Sequence, residues 1–89
     1  MPYITKADRL ALDTCCLLDK FLERFNQDTP VNEGEINYVI TKLLLSTKPK
    51  RYADYNKLVG VLECCKLEFY RRAVAVYEDD KIKENGDVY

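Results

Sequence analysis

The sequence predicts an all-α protein of three main helices, with a long C-terminal helix, that assembles into an oligomeric helical bundle. Apolar residues recur at three-to-four spacing over three stretches, and proline-containing segments separate these stretches. The chain has 89 residues, of which 47% are apolar and 33% are charged, an ordinary balance for a small globular protein. We therefore expect residues 1–89 to form a single helical domain.

The first helix is predicted over about residues 5–26. The Thr5 hydroxyl is placed to cap its first amides, and Asp8 follows three residues later as the partner of a capping box. The segment NQDTP, residues 26–30, ends this helix.

The second helix is predicted over about residues 32–47. Glu33 and Glu35 suit the positive end of its dipole. Pro49 limits it, because the residue before a proline disfavours helical geometry.

The third helix is predicted over about residues 52–79, followed by a charged tail over residues 80–89. It contains no proline, and at about 1.5 Å per residue it is ~40 Å long. A domain of this size is only about 30 Å across. The helix carries two apolar seams, and the first two helices can cover one of them; a second copy of the chain is expected to cover the other. Gly60 fits such a contact, because glycine allows close backbone approach.

Composition and charge limit the cellular locations and the classes of binding partner that we expect for this protein. The net charge is −1, so no general attraction to nucleic acid or to anionic membranes is expected. The apolar runs are too short for a membrane span, and the first residues lack the apolar core of a signal peptide. We expect a cytoplasmic protein with reduced cysteines, no membrane partner and no nucleic-acid partner.

The four cysteines form two adjacent pairs, Cys15–Cys16 and Cys64–Cys65. Neighbouring side chains on a helix point about 100° apart, so one pair cannot direct both sulfurs at one tetrahedral zinc. The chain contains neither a histidine nor a CxxC motif. We predict that these cysteines pack in a core or an interface, with no metal site.

The sequence offers little for catalysis. Histidine, the commonest general base at neutral pH, is missing, and no phosphate-binding loop, nucleophile elbow or HExxH motif is present. We expect no catalytic residues, no cofactor and no enzyme. A small hydrolase or lyase that uses tyrosine, lysine or carboxylates stays an alternative.

Two basic clusters that contain tyrosines are the candidate ligand-binding residues. In KPKRYADYNK, Arg51 stands at a helix start, where an anionic group is favoured, and Tyr52 and Tyr55 can stack on a base. In YRRAVAVY, Arg71 and Arg72 can grip a phosphate, beside the ring of Tyr70.

The alternative interpretation of both clusters is a solvated face with tyrosine rings that close the core. Glu68 precedes Arg71 by three residues and Arg72 by four, the spacing of helical ion pairs. Salt bridges and phosphate binding therefore compete for the same two arginines.

The segments YITKADR, GEINYVI and LECCKLEFYRRAVAVYEDDKIKENGDVY resemble a family of small uncharacterised proteins encoded by bacteriophages and prophages. In size and helical architecture, the chain is also similar to the anti-CBASS and anti-Thoeris sponges of phages, without a motif that transfers their binding residues. The analogy implies a non-enzymatic counter-defence protein that sequesters a cyclic oligonucleotide or an ADP-ribose derivative between subunits. A structural or adaptor protein that binds another protein is the main alternative.

Overall fold

The structure is a computed structural model that describes residues 4–15, 17–26, 30 and 32–89. Every regular element in these ranges is helical, which confirms the all-α prediction. The chain divides into two units, an N-terminal unit over Tyr3–Pro49 and a C-terminal unit over Lys50–Tyr89. The single domain and the oligomeric bundle both stay predictions.

The first predicted helix is interrupted. Helix α1 spans Lys6–Cys15, helix α2 spans Leu18–Leu22, and a 3₁₀ turn follows over Glu23–Phe25. Leu17, between the first two, has the left-handed backbone angles φ 56° and ψ 31°. A left-handed residue cannot continue a right-handed helix. The prediction of a single helix over residues 5–26 was therefore wrong.

The predicted Thr5 cap is present at the start of α1. The Asp8 amide donates a hydrogen bond to the Thr5 hydroxyl at 3.1 Å, and the Arg9 amide donates to the Thr5 carbonyl at 3.0 Å. The Thr5 hydroxyl therefore satisfies one of the amides that the first turn of a helix leaves without a partner, and its carbonyl accepts the first regular bond of the helix.

Helix α3 spans Glu33–Ser46, close to the predicted range. The Asn32 side chain caps it by accepting a hydrogen bond from the Glu35 amide at 3.0 Å. At its end Lys48 adopts φ 54°, immediately before Pro49, and its amide donates to the Leu45 carbonyl at 3.1 Å. The turn that closes α3 thus uses a left-handed residue.

The C-terminal unit is dominated by one long helix. Helix α4 spans Tyr52–Phe69, a π-helical turn spans Tyr70–Val74, and helix α5 spans Ala75–Asn85. Together they form what we call the C-terminal helix, which is about 50 Å long at 1.5 Å per residue.

The C-terminal helix continues past the predicted end at residue 79, so the first part of the expected charged tail is helical. It ends at Gly86, whose φ of 87° favours glycine and whose amide donates to the Ile82 carbonyl at 2.8 Å.

None of the residues that the structure describes is fully buried. Cys64 and Cys65 are both exposed, so within this chain they do not pack in a core as one prediction had it. A side chain at Gly60 would meet no described atom within 4 Å. Among the residues that the structure describes, no helix is long and apolar enough to cross a membrane.

Candidate functional site

The π turn lies where the second basic cluster was predicted. Its five residues are Tyr70, Arg71, Arg72, Ala73 and Val74. The Ala75 amide donates to the Tyr70 carbonyl, five residues back, instead of the four that are usual in an α-helix. π turns inside α-helices are rare and occur frequently at functional sites.

The Glu68 carboxylate holds both arginines of the turn. The Arg71 guanidinium lies 2.8 Å from Glu68 Oε1, and Arg72 Nη1 lies 3.8 Å from the same oxygen. This confirms the predicted ion pairs. The Glu68 side chain is only 26% exposed, whereas those of Arg71 and Arg72 are 66% and 63% exposed. The guanidinium groups therefore remain accessible to an anion from solution.

Tyr70 is fixed from the other side of the π turn. Its hydroxyl donates a hydrogen bond to Glu78 Oε1 at 3.0 Å. This hydrogen bond and the negative charge of Glu78 raise the pKa of Tyr70 above its usual value, so the phenol stays protonated.

The π turn helps to explain a contact over eight residues. In a regular α-helix, residues eight positions apart lie about 80° apart around the axis. The wider π turn holds one residue more per hydrogen-bonded loop, which reduces this angle between Tyr70 and Glu78. A shallow depression on this side of the helix is lined by Cys64, Leu67, Glu68, Tyr70 and Arg71.

The first basic cluster lies at the start of α4, but an acidic side chain of the same chain already binds there. Asp54 Oδ2 accepts hydrogen bonds from the Arg51 amide at 3.1 Å and the Lys50 amide at 3.2 Å. These two bonds, together with the charge of Lys57, lower the pKa of Asp54. The helix start therefore has its own carboxylate partner.

The aromatic residues of that cluster point to solvent. Tyr52 is 84% exposed and Tyr55 is 52% exposed, so neither ring closes a core within this chain. Tyr52 and Tyr70 are separated by eighteen residues of one helix, or about 27 Å along its axis. Consequently, the six predicted ligand-binding residues form two separate groups within one chain and not a single site.

A metal centre is not assembled by the described part of the chain, which holds no group of three histidine, cysteine or acidic residues in a suitable arrangement. Cys16 and the side chain of Cys15 lie outside the described residues. The predicted absence of a metal stays a prediction.

Residues 1–88 match the model of a family whose description is a domain of unknown function, DUF6899. The chain belongs to the DUF6899 family. The match covers both units, so the π turn and the start of α4 are parts of the DUF6899 domain. No curated protein and no solved structure matches the chain.

Sequence reasoning missed two acidic residues of this DUF6899 domain, Asp54 and Glu78, which anchor the predicted basic and aromatic groups. Asp54 follows Arg51 by three residues, the spacing of a helix-start cap, and that signal was readable. The pairing of Glu78 with Tyr70 had no such signal, because residues eight positions apart lie about 80° apart around a regular α-helix.

Proposed function

We propose that this DUF6899 protein is a non-enzymatic counter-defence protein of a bacteriophage. It binds and sequesters a nucleotide-type immune signalling molecule, either a cyclic oligonucleotide or an ADP-ribose derivative, where copies of the chain meet. It acts in the cytoplasm of the host cell. The observation that best supports ligand binding is the π turn Tyr70–Val74, which holds a tyrosine and two exposed arginines in one place.

The energetics of the Glu68 ion pairs allow a phosphate to take their place. An exposed salt bridge contributes only about 0–1 kcal/mol to stability. Arginine binds phosphate with two parallel hydrogen bonds, which are charge-assisted and geometrically specific. Glu68 therefore orients Arg71 and Arg72 in the free protein, and a phosphate group that binds them competes with its carboxylate.

Tyr70 supplies the second part of the proposed site. Its hydroxyl is anchored on Glu78, and the residue is half exposed, so the ring face is available to a nucleobase. Stacking of a base on an aromatic ring contributes about 1–3 kcal/mol. Phosphate binding by the arginines and base stacking by Tyr70 together suit a nucleotide, and neither needs a catalytic base.

The adaptor function is the second candidate, and a separate observation favours it. Large apolar residues are exposed along the whole C-terminal helix. Apolar surface of this extent is typical of protein-binding sites. In that case the arginines serve only in salt bridges.

Thermal denaturation of the purified protein with a panel of cyclic dinucleotides and cyclic ADP-ribose isomers tests the proposal. A ligand at 100 times its Kd stabilises a folded protein by about 2.7 kcal/mol, so we expect a clear rise in Tm. Mass spectrometry after denaturation should recover the ligand unchanged. No shift across the panel overturns the proposal in favour of the adaptor, and a chemically altered ligand indicates an enzyme.

The arginine pair has a matched control in the other unit. Arg71→Ala combined with Arg72→Ala is expected to weaken binding at least 100-fold. Arg24→Ala also removes an exposed arginine from an ion pair, that with Glu35, and should leave binding unchanged. Equal losses in both variants would show that the effect is not specific to the π turn.

A further inference from the structure

The two ends of the C-terminal helix carry opposite charges. Between Lys50 and Val59, three basic residues and one acidic residue give a net charge of +2. Between Glu78 and Asp87, five acidic and two basic residues give a net charge of −3. The helix dipole adds positive charge to the first end and negative charge to the second.

Over ten residues at each end, this net charge is opposite in sign to the one that the dipole favours, although the first turn itself holds Asp54 and the last turn holds Lys83. Acidic residues are favourable near a helix N-terminus and basic residues near its C-terminus. Here Asp54 is the one acidic residue of the first end, and the second end is mostly acidic. Such ends are electrostatically satisfied when each lies beside the opposite end of another helix.

The C-terminal helix exposes apolar surface for that contact. Apart from Tyr70, ten large apolar residues between Tyr52 and Ile82 are 38–84% exposed. At about 100 Å² each, they expose roughly 1,000 Å². This surface is spread around the helix, so pairing through one face covers only part of it, whereas one partner contributes about 800 Å² to a standard interface between proteins.

We propose that two copies of the chain pair through their C-terminal helices in antiparallel orientation, over the full length of the helix. This inference rests on the proposed assembly through that helix and adds its direction and register. Antiparallel pairing places the +2 end of each copy beside the −3 end of the other. Parallel pairing instead places like charges together at both ends, which costs free energy and suppresses that arrangement.

The register has a consequence for the ligand. In full overlap, the twofold axis passes beside the middle of the helix, between Glu68 and Phe69. The π turn begins at the next residue, so the arginine pairs of the two copies lie within about 8–10 Å of each other along the helix axes. Four arginines near one twofold axis suit a ligand with at least two phosphate groups.

Charge reversal at either end tests the orientation without touching the proposed ligand-binding residues. The variant Lys50→Glu with Lys57→Glu makes both ends negative, and Asp80→Lys with Glu84→Lys makes both ends positive. Each is expected to weaken dimerisation at least tenfold in sedimentation equilibrium at low salt. All four substitutions together exchange the signs of the two ends and should restore the dimer. Lys20→Glu, in the N-terminal unit, is the control and should have no effect.

Cross-linking gives a second measurement that does not depend on the variants. A carbodiimide joins a lysine directly to a carboxylate that contacts it. Lys50, just before the C-terminal helix, and Glu84, near its end, lie about 50 Å apart in one chain, so a link between the two ends must join two copies. In a mixture of unlabelled and ¹⁵N-labelled protein, we expect mixed-isotope links between these ends. Mixed links confined to residues of the same end would overturn the antiparallel arrangement.

The outcomes separate the two proposals. A dimer that is insensitive to charge reversal contradicts the antiparallel arrangement and leaves assembly through the helix intact. A wild-type chain that stays monomeric at micromolar concentration contradicts the assembly itself. Ligand binding is measured independently by the thermal shift of the wild-type protein.

Discussion

The two units differ in the contacts that each of them makes internally. In the N-terminal unit a contact joins separate elements, because Arg24 in the 3₁₀ turn lies 2.6 Å from Glu35 of α3. In the C-terminal unit, contacts such as the 3.0 Å ion pair of Glu63 with Lys66 join neighbouring turns of the same helix. The N-terminal unit thus consists of short segments with tight turns, whereas the C-terminal unit is one helix of about 50 Å.

This difference shows where a partner is most needed. In proteins, most of the stability of a helix comes from packing of its apolar face and little from the helix propensity of its residues. The C-terminal helix exposes its large apolar residues, and its two ends carry opposite net charges. Its stability is therefore expected to depend on a second copy more than that of the N-terminal unit.

A charge at the middle of the C-terminal helix is expected to have the largest effect. Phe69 is 67% exposed in the chain, so Phe69→Asp should cost little in a monomer. In the proposed dimer it removes the aromatic residue beside the twofold axis, and we expect a loss of at least about 2.7 kcal/mol, or about 100-fold in Kd. Sedimentation velocity should show a shift to monomer.

Leu43→Asp is the matched control for this substitution in the other unit. Leu43, in α3, is 64% exposed, so both changes introduce the same charge at an equally exposed apolar residue. We expect the control to sediment like the wild type. If both variants dissociate equally, the interface is not particular to the C-terminal helix and the contrast between the units fails.

The elements that the sequence predicts well are those with a local signal at their boundaries. Helix α3 was predicted to begin at about residue 32 and to be limited by Pro49, and the structure has it over Glu33–Ser46. The break at Leu17 has no such signal, because no glycine, proline or asparagine interrupts the run from Cys15 to Leu18. The true end of the C-terminal helix at Gly86 was readable, because glycine typically follows a helix end.

The candidate site was only partly predictable, for a physical reason. Residue type and spacing identify Arg71 and Arg72 with Glu68 as an ion-pair cluster, and the structure has these pairs. The π turn itself leaves no mark in composition, since it adds one residue to a turn of an otherwise regular helix. Whether an anion replaces Glu68 depends on a ligand, which neither spacing nor helix geometry can specify.

A smaller effect is expected where the helix backbone is open. Gly60→Ala should stabilise the C-terminal helix by about 1 kcal/mol, because alanine is the better helix former and its Cβ meets no described atom within 4 Å. Gly34→Ala is the matched change in α3, where the added Cβ lies 3.5 Å from Asn32 Oδ1, an ordinary contact. Chemical denaturation measures both. Weaker dimerisation of Gly60→Ala would show instead that a second copy approaches the backbone at this glycine.

The smallest expected effect concerns the groups that cap the first turns of α4 and α3. Helix α4 is capped by the carboxylate of Asp54, and α3 is capped by the neutral amide of Asn32. Because the backbone hydrogen bonds from Arg51 and Lys50 lower the pKa of Asp54, its contribution to folding is complete above its usual pKa of 3.8. That contribution is lost as the pH falls through the lowered value.

An NMR titration in acid is expected to show this difference directly. The Asp54 carboxyl should titrate with a midpoint below 3.8, and the Arg51 amide signal should follow the same midpoint. In Asp54→Asn, the Arg51 amide should no longer follow a titration, because an asparagine side chain carries no titratable proton. The bond from the Glu35 amide to Asn32 provides the internal reference, since the Asn32 side chain does not titrate. A midpoint at or above 3.8 would mean that the Arg51 and Lys50 amides do not bind Asp54 in solution, and the start of α4 would then be open to an external anion.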